Sequence, residues 1–131
     1  MAEKIIVRTE NAPGAIGPYS QGVGFNGLFF FSGQIPMDPN TGEIVEGGVE
    51  IQTRTVMANM EALLEATGLD FSHVLRTTIF LKNMSDFDKV NTIYGAFFDE
   101  NPPARACVEV SRLPKDVLVE IDMIAAAPDA G

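Results

Sequence analysis

The residues best equipped for chemistry lie near the end of the chain. Arg105, Cys107 and Glu109 recur at alternate positions in Pro103-Ala104-Arg105-Ala106-Cys107-Val108-Glu109-Val110, and Glu120 and Asp122 do the same in the segment 117–126. On a strand, alternate residues share a face. An arginine is permanently charged and offers a planar fork of donors that matches a carboxylate. Carboxylates beside it can move protons or orient water. A structural reading stands next to this one: Arg105 paired with Glu109, Glu120 or Asp122 across an interface, because a buried charge needs a partner. Cys107 has no histidine near it in sequence to act as a base, so a packing or backbone role is expected rather than covalent catalysis.

Composition narrows the chemistry further. The chain has 131 residues, the size of one domain, here taken as 1–131, and needs no disulfide or structural metal to build a core. Nine Lys and Arg stand against 18 Asp and Glu, a net charge of −9. That balance disfavours nucleic-acid binding, whose affinity comes from clustered cations. It leaves room for a small anionic ligand held by one well-placed arginine. The single Cys107 and the single His73 exclude an intramolecular disulfide, a cysteine-rich zinc site and a two-histidine acid–base pair within one chain. Only Ile5 to Val7 are apolar near the N-terminus, too few for a signal peptide, and no stretch approaches the ~20 apolar residues of a membrane span. A soluble, cytoplasmic protein with no membrane partner is the expectation.

The elements that must position these residues follow from periodicity. Residues 4–8, 22–26 and 28–33 read as strands, the last two joined by the hairpin signal Asn26-Gly27. Residues 48–67 carry Val49, Val56, Met60, Leu63 and Leu64 at helical spacing. Residues 74–82 form a strand. Ser85 is expected to cap a second helix with the stripe Phe87, Val90, Tyr94, Phe97 and Phe98, ended by Pro102-Pro103. Strands 104–110 and 117–126 complete a β-β-β-α-β-α-β-β order, an α+β domain with two helices on one face of a sheet.

Splitting each strand by face puts Ala106, Val108 and Val110, with Val117, Val119, Ile121 and Met123, toward the helices. Arg105, Cys107, Glu109, Glu120 and Asp122 are then expected together on the face without helices. The strands at 28–33 and 74–82 are apolar on both sides, and two helices cover only one. An uncovered apolar sheet face marks an interface, so self-association is expected.

The chain also carries, in order, Gly17-Pro18-Tyr19-Ser20-Gln21, Phe31-Ser32-Gly33-Gln34-Ile35-Pro36, Val90-Asn91-x-x-Tyr94, the Arg105 motif, Leu113-Pro114-Lys115-Asp116 and Val119-Glu120-Ile121. From about Ile5 to Ala126 this closely resembles the RidA/YjgF family of reactive-intermediate deaminases. The resemblance implies a chorismate-mutase-like α+β fold and a homotrimer with clefts between subunits. It implies hydrolysis of short-lived 2-imino acids, such as 2-iminopropanoate and 2-iminobutanoate, to 2-keto acids and ammonia, without metal or organic cofactor. Carried over by motif, Arg105 is the receptor for the substrate carboxylate and Glu120 the group that orients or activates water. The backbone at Cys107 contacts the imine nitrogen or the water. Tyr19, Ser32 and Asn91 line the pocket, some of them from a neighbouring subunit.

An imine carbon is already electrophilic, so holding the carboxylate, placing a water and moving a proton suffice. Two other readings compete. One is a non-catalytic trimer that binds a small carboxylate for regulation. The other is RNA cleavage, after the family's older labels "endoribonuclease L-PSP" and "translation inhibitor"; net charge and the lone histidine weigh against it. Chorismate mutation would share the implied fold, but it needs several cations where only Arg105 is evident.

Overall fold

The computed structural model describes residues 3–128. Six strands form one sheet: β1 (Ile5–Val7), β2 (Gly22–Phe25), β3 (Leu28–Gln34), β4 (Val74–Leu81), β5 (Ala104–Glu109) and β6 (Val119–Ala126). Their spatial order is β1-β2-β3-β6-β4-β5. All pairs are antiparallel except β4 with β5. Helices α1 (Val49–Ala66) and α2 (Phe87–Gly95) complete the expected order, with short 3-10 turns between elements. The hairpin at Asn26-Gly27 forms as the sequence predicts. Both residues have positive φ, 52° and 81°, which suits the right-handed twist of the flanking strands.

The last strand in sequence lies in the middle of the sheet, between β3 and β4. Its alternation is strict: Val119, Ile121, Met123 and Ala125 are buried, while Glu120, Asp122 and Ile124 are half-buried on the other side. The buried side meets Val56, Met57, Met60, Leu63 and Leu64 of α1, all sealed from solvent. This is the helix face predicted for β6.

The face prediction fails for β5. One cross-strand row runs Val7, Gly22, Phe31, Met123, Thr77, Arg105. Of these, Val7, Phe31, Met123 and Thr77 are at most 5% exposed, so Arg105 ends the buried, helix-side row. Cys107 and Glu109 share that side, opposite Ile79 and Leu81. The apolar Val108 is left on the open side, 41% exposed. Pairing decides this, because the parallel register aligns Arg105 with Thr77. As an edge strand with small side chains at Ala104 and Ala106, β5 has too weak a pattern to show its own parity. A register shift between Val74 and Arg76 makes a similar change at the start of β4. Val74 turns into the core and Leu75 is expelled, 51% exposed.

The second helix is shorter than its apolar stripe. It ends at Gly95, and Phe97 and Phe98 follow in a turn held by bonds to the carbonyls of Tyr94 and Gly95. Ser85 does not cap it. Residues Met84–Asp86 form a 3-10 turn, and its first amide, Met84 N–H, donates to Glu109 Oε1 at 2.7 Å. The first turn of α2 has no side-chain cap; its N-cap position is Asp86. Glu50 and Arg54 of α1, one helical turn apart, make no ion pair.

The open side carries an apolar row of Ile6, Val23, Phe30 and Ile124, flanked by Phe25 and Leu28. Phe25 and Phe30 are 46% and 48% exposed, in keeping with the expected uncovered sheet face.

Two buried amides on α1 fasten the loops on which the site depends. Gln52 Oε1 accepts from Leu118 N–H at 2.8 Å, just before β6. Asn59 donates through Nδ2 to the carbonyls of Met37, 3.0 Å, and Ile35, 3.3 Å, just after β3. Truncating Asn59 strands buried acceptors, which costs about 1–3 kcal/mol. Asn59→Ala is expected to lower the urea midpoint by a corresponding amount at unchanged m-value, measured by equilibrium unfolding.

Candidate functional site

The residues singled out by motif fall into two groups, one on each side of the sheet. The first surrounds Arg105. Its side chain leaves the helix side of β5 toward α2, where Phe87, Asn91 and Tyr94 follow one another at helical spacings of four and three. Arg105 Nη1–H donates to Asn91 Oδ1 at 2.7 Å. Its guanidinium carbon lies 5.1 Å from the Tyr94 ring centre and 5.5 Å from that of Phe87, within the range of cation–π attraction. Beneath it the buried Tyr94 hydroxyl bonds to Thr77 Oγ1 at 2.7 Å. Burial pushes the Tyr94 hydroxyl pKa up, against the opposing pull of Thr77 and Arg105.

Arg105 has no carboxylate partner. Among the described residues the one ion pair made by an arginine or lysine is Arg112–Asp116. Within the protomer Arg105 is not paired with Glu109, Glu120 or Asp122; the pairing across an interface that the sequence also allows involves a second chain. Glu109 serves the Met84 amide, and Glu120 and Asp122 face the other way. An open pocket of about 450 Å³ adjoins the guanidinium, lined by Asn91, Tyr94, Phe98, Asp99, Pro103 and Arg105. Cys107 is half-buried against the core. Burial raises its thiol pKa, with Arg105 opposing, so it is poorly disposed to ionise.

The second group gathers around Glu120 on the open side of β6. Glu120 pairs with Phe80 of β4, and its carboxylate lies over Gly33. A Cβ at Gly33 would meet Glu120 Cδ at 3.0 Å and Cγ at 3.2 Å and would collide with the carboxylate oxygen. The bulge between Phe31 and Gln34 brings this glycine there. Burial, and then repulsion from Asp122, lift the Glu120 carboxyl pKa above its ordinary value, which makes it a better proton acceptor than a free carboxylate. Next along β3, Ser32 Oγ–H donates to the Ser20 carbonyl at 2.6 Å, and Ser32 N–H donates to that of Gln21 at 2.9 Å. These bonds tie β3 to the loop that carries Tyr19, which is 51% exposed.

The structure thus brings Arg105, Asn91 and Cys107 together on one side, and Tyr19, Ser32 and Glu120 on the other. The sequence reading missed three contributors. The sequence places Phe87 and Tyr94 on the apolar stripe of the second helix, and Tyr94 also in the Val90-Asn91-x-x-Tyr94 motif; their spacing with Asn91 is a legible signal. Gln21 was read only as part of a motif. It is buried, and its side chain accepts from Thr9 N–H at 2.7 Å and donates to the Thr9 and Pro13 carbonyls at 3.0 and 2.8 Å, which fixes the Tyr19 loop.

Comparison with known proteins places this two-part arrangement in a family. Residues 9–127 match the family described as Endoribonuclease L-PSP. A RutC family protein of Pyrococcus horikoshii is 53% identical over 93% of this chain and 97% of its own. A Salmonella typhimurium protein named 2-iminobutanoate/2-iminopropanoate deaminase is 51% identical over 91% of this chain and 94% of its own. The crystal structure of Escherichia coli TdcF with bound serine superposes with a TM-score of 0.90 at 44% identity, covering 95% of this chain and 99% of that one. The chain belongs to the RidA/YjgF family.

The geometry of Cys107 yields a pH-dependent expectation. A raised thiol pKa means a smaller thiolate fraction at a given pH, so alkylation by iodoacetamide at pH 7–8 is expected to run slower than that of an unfolded control. The midpoint of its pH–rate curve is expected above that control's.

Proposed function

We propose that this protein hydrolyses 2-imino acids to 2-keto acids and ammonia in clefts shared between subunits of a homotrimer. The observation that carries the reading is the uncompensated Arg105 fork beside an open pocket, in a chain where acids outnumber bases two to one. Arg105 takes the substrate carboxylate through paired charge-assisted hydrogen bonds. Glu120 holds the attacking water and accepts a proton as the water oxygen adds to the imine carbon. Glu120 returns that proton to the nitrogen of the carbinolamine, then takes up the hydroxyl proton as the C=O bond forms, the C–N bond breaks and ammonia leaves. Water is the sole co-reactant. The backbone at Cys107 is suited to the imine nitrogen or the water, and Tyr19, Ser32 and Asn91 to shaping the cavity. The Salmonella relative carries the name of this activity, and the E. coli neighbour was crystallised with an amino acid, a molecule bearing the same carboxylate group.

The division of the site supports a cleft shared between subunits. Arg105 and Glu120 point to opposite sides of one sheet, so a protomer cannot converge them on one small molecule. A head-to-tail ring lets the Arg105 side of one subunit meet the Glu120 side of the next. It also covers the apolar row of Ile6, Phe30 and Ile124.

Turnover is tested by generating the imine with a serine or threonine dehydratase while semicarbazide traps it. Wild-type protein is expected to outcompete the trap. Arg105→Ala loses two charge-assisted bonds, each about 1.5–3 kcal/mol, and is expected to lose at least about 100-fold in kcat/KM. Failure of the wild type to compete would leave only the carboxylate-binding reading.

The shared cleft is tested by complementation. Arg105→Ala and Glu120→Gln are each expected to be inactive alone. Co-assembled in equal amounts, they are expected to recover roughly a quarter of wild-type activity, the chance that a cleft draws both intact residues from two different subunits. No recovery in verified mixed assemblies would overturn the shared cleft.

A further inference from the structure

We propose that Phe87 and Tyr94 are positioning residues that hold Arg105 ready for a carboxylate without neutralising it. The inference rests on the reading of Arg105 as the carboxylate receptor and adds how the protein keeps that receptor both ordered and vacant.

A surface arginine has many rotamers, and losing them on binding weakens affinity. The common way to order one is an ion pair with Asp or Glu, but a carboxylate partner would occupy the donors that the substrate needs. This chain has 18 Asp and Glu against nine Lys and Arg, so acidic partners are abundant, yet among the described residues of its own protomer none pairs with Arg105. The nearest acid on its own strand face, Glu109, is engaged with the Met84 amide. The groups that do meet the guanidinium are uncharged: the Asn91 amide oxygen on Nη1 at 2.7 Å and two aromatic rings at 5.1 and 5.5 Å. A ring face attracts a cation through its quadrupole and accepts none of its directed N–H bonds in the guanidinium plane. Asn91 occupies Nη1, leaving Nη2 and Nε, which share one edge of the fork, for a carboxylate.

The platform is itself anchored. Tyr94 is 4% exposed, and its hydroxyl is bound to Thr77, which is fully buried and is the cross-strand partner of Arg105. Its ring also packs at 4.8 Å on Phe98, which lines the pocket beside Arg105. Phe87 sits at the first position of α2, directly after the turn held by Glu109. The same helix face thus supplies both rings and the amide, so movement of α2 would carry the receptor with it.

The test uses the intact protein with 2-oxobutanoate as a carboxylate probe and with the dehydratase-generated imine. Phe87→Leu keeps an apolar side chain and removes the ring. It is expected to raise the Kd for 2-oxobutanoate and the KM roughly 3- to 10-fold, with kcat within about twofold. The Arg105 Nε–H resonance is expected to move away from its wild-type position as the ring current is lost. Phe87→Tyr restores a ring and is expected to restore all three readouts, which a purely structural loss of packing would not require. Tyr94→Phe keeps the ring, loses the Thr77 bond, and is expected to lower stability while retaining affinity. Wild-type affinity and resonance in Phe87→Leu would overturn the inference, as would failure of Phe87→Tyr to rescue. If the wild type binds 2-oxobutanoate through Arg105 but does not hydrolyse imines, the proposed enzymatic function fails and the platform stands.

Discussion

A strand presents only every second side chain to a given side of its sheet, and the organisation of this protein depends on that parity. Arg105 lies in the same cross-strand row as Met123, three residues from Glu120 along β6. An odd separation means opposite faces. The two residues best suited to bind and hydrolyse an imino acid are therefore divided by the thickness of the sheet. Everything that shapes the site follows this division: α2 furnishes the surroundings of Arg105, and the bulge of β3 with the Tyr19 loop furnishes those of Glu120. The apolar open face and the divided site are the two features on which the proposed self-association rests, one through the hydrophobic effect and one through geometry.

The two halves differ in how they treat charge. Around Arg105 the protein uses neutral partners, so a full positive charge remains for an incoming anion. Around Glu120 it uses burial and the neighbouring Asp122, which disfavour the ionised form and raise the carboxyl's proton affinity. A cation that stays available and an acid that can exchange its proton are complementary tools for a reaction in which a carboxylate is held while protons move between water and nitrogen. Cys107 lies on the Arg105 side, where burial favours its thiol form. The family's ribonuclease description meets an obstacle in the same electrostatics, because a net charge of −9 repels a polyphosphate while one local cation still suits a monoanion.

Much of the precision comes from amides buried among apolar side chains. Gln21, Gln52 and Asn59 each sit in or against the core and bond to backbone groups of loops far away in sequence. A buried amide is tolerated only where its bonds are made, so each permits essentially one loop arrangement. Gly33 works by the opposite means. It has no side chain, and the Glu120 carboxylate fills the space that one would occupy.

What the sequence determined by itself was the local and periodic part. The hairpin at Asn26-Gly27, the α1 stripe, the order of elements and the two-faced apolar strands are written in neighbouring residues, because backbone preference and side-chain alternation act over a few positions. The ordered motifs likewise identified the family and named Arg105, Glu120, Cys107, Tyr19, Ser32 and Asn91. Tertiary structure decided which of these residues meet. The face of β5 depends on its register with β4, and the start of β4 depends on a bulge. The cap of the turn before α2 comes from Glu109, and the setting of Arg105 comes from Phe87 and Tyr94. Each depends on pairing between segments remote in the chain, where a shift of one residue exchanges the two sides of a strand and leaves the local pattern intact.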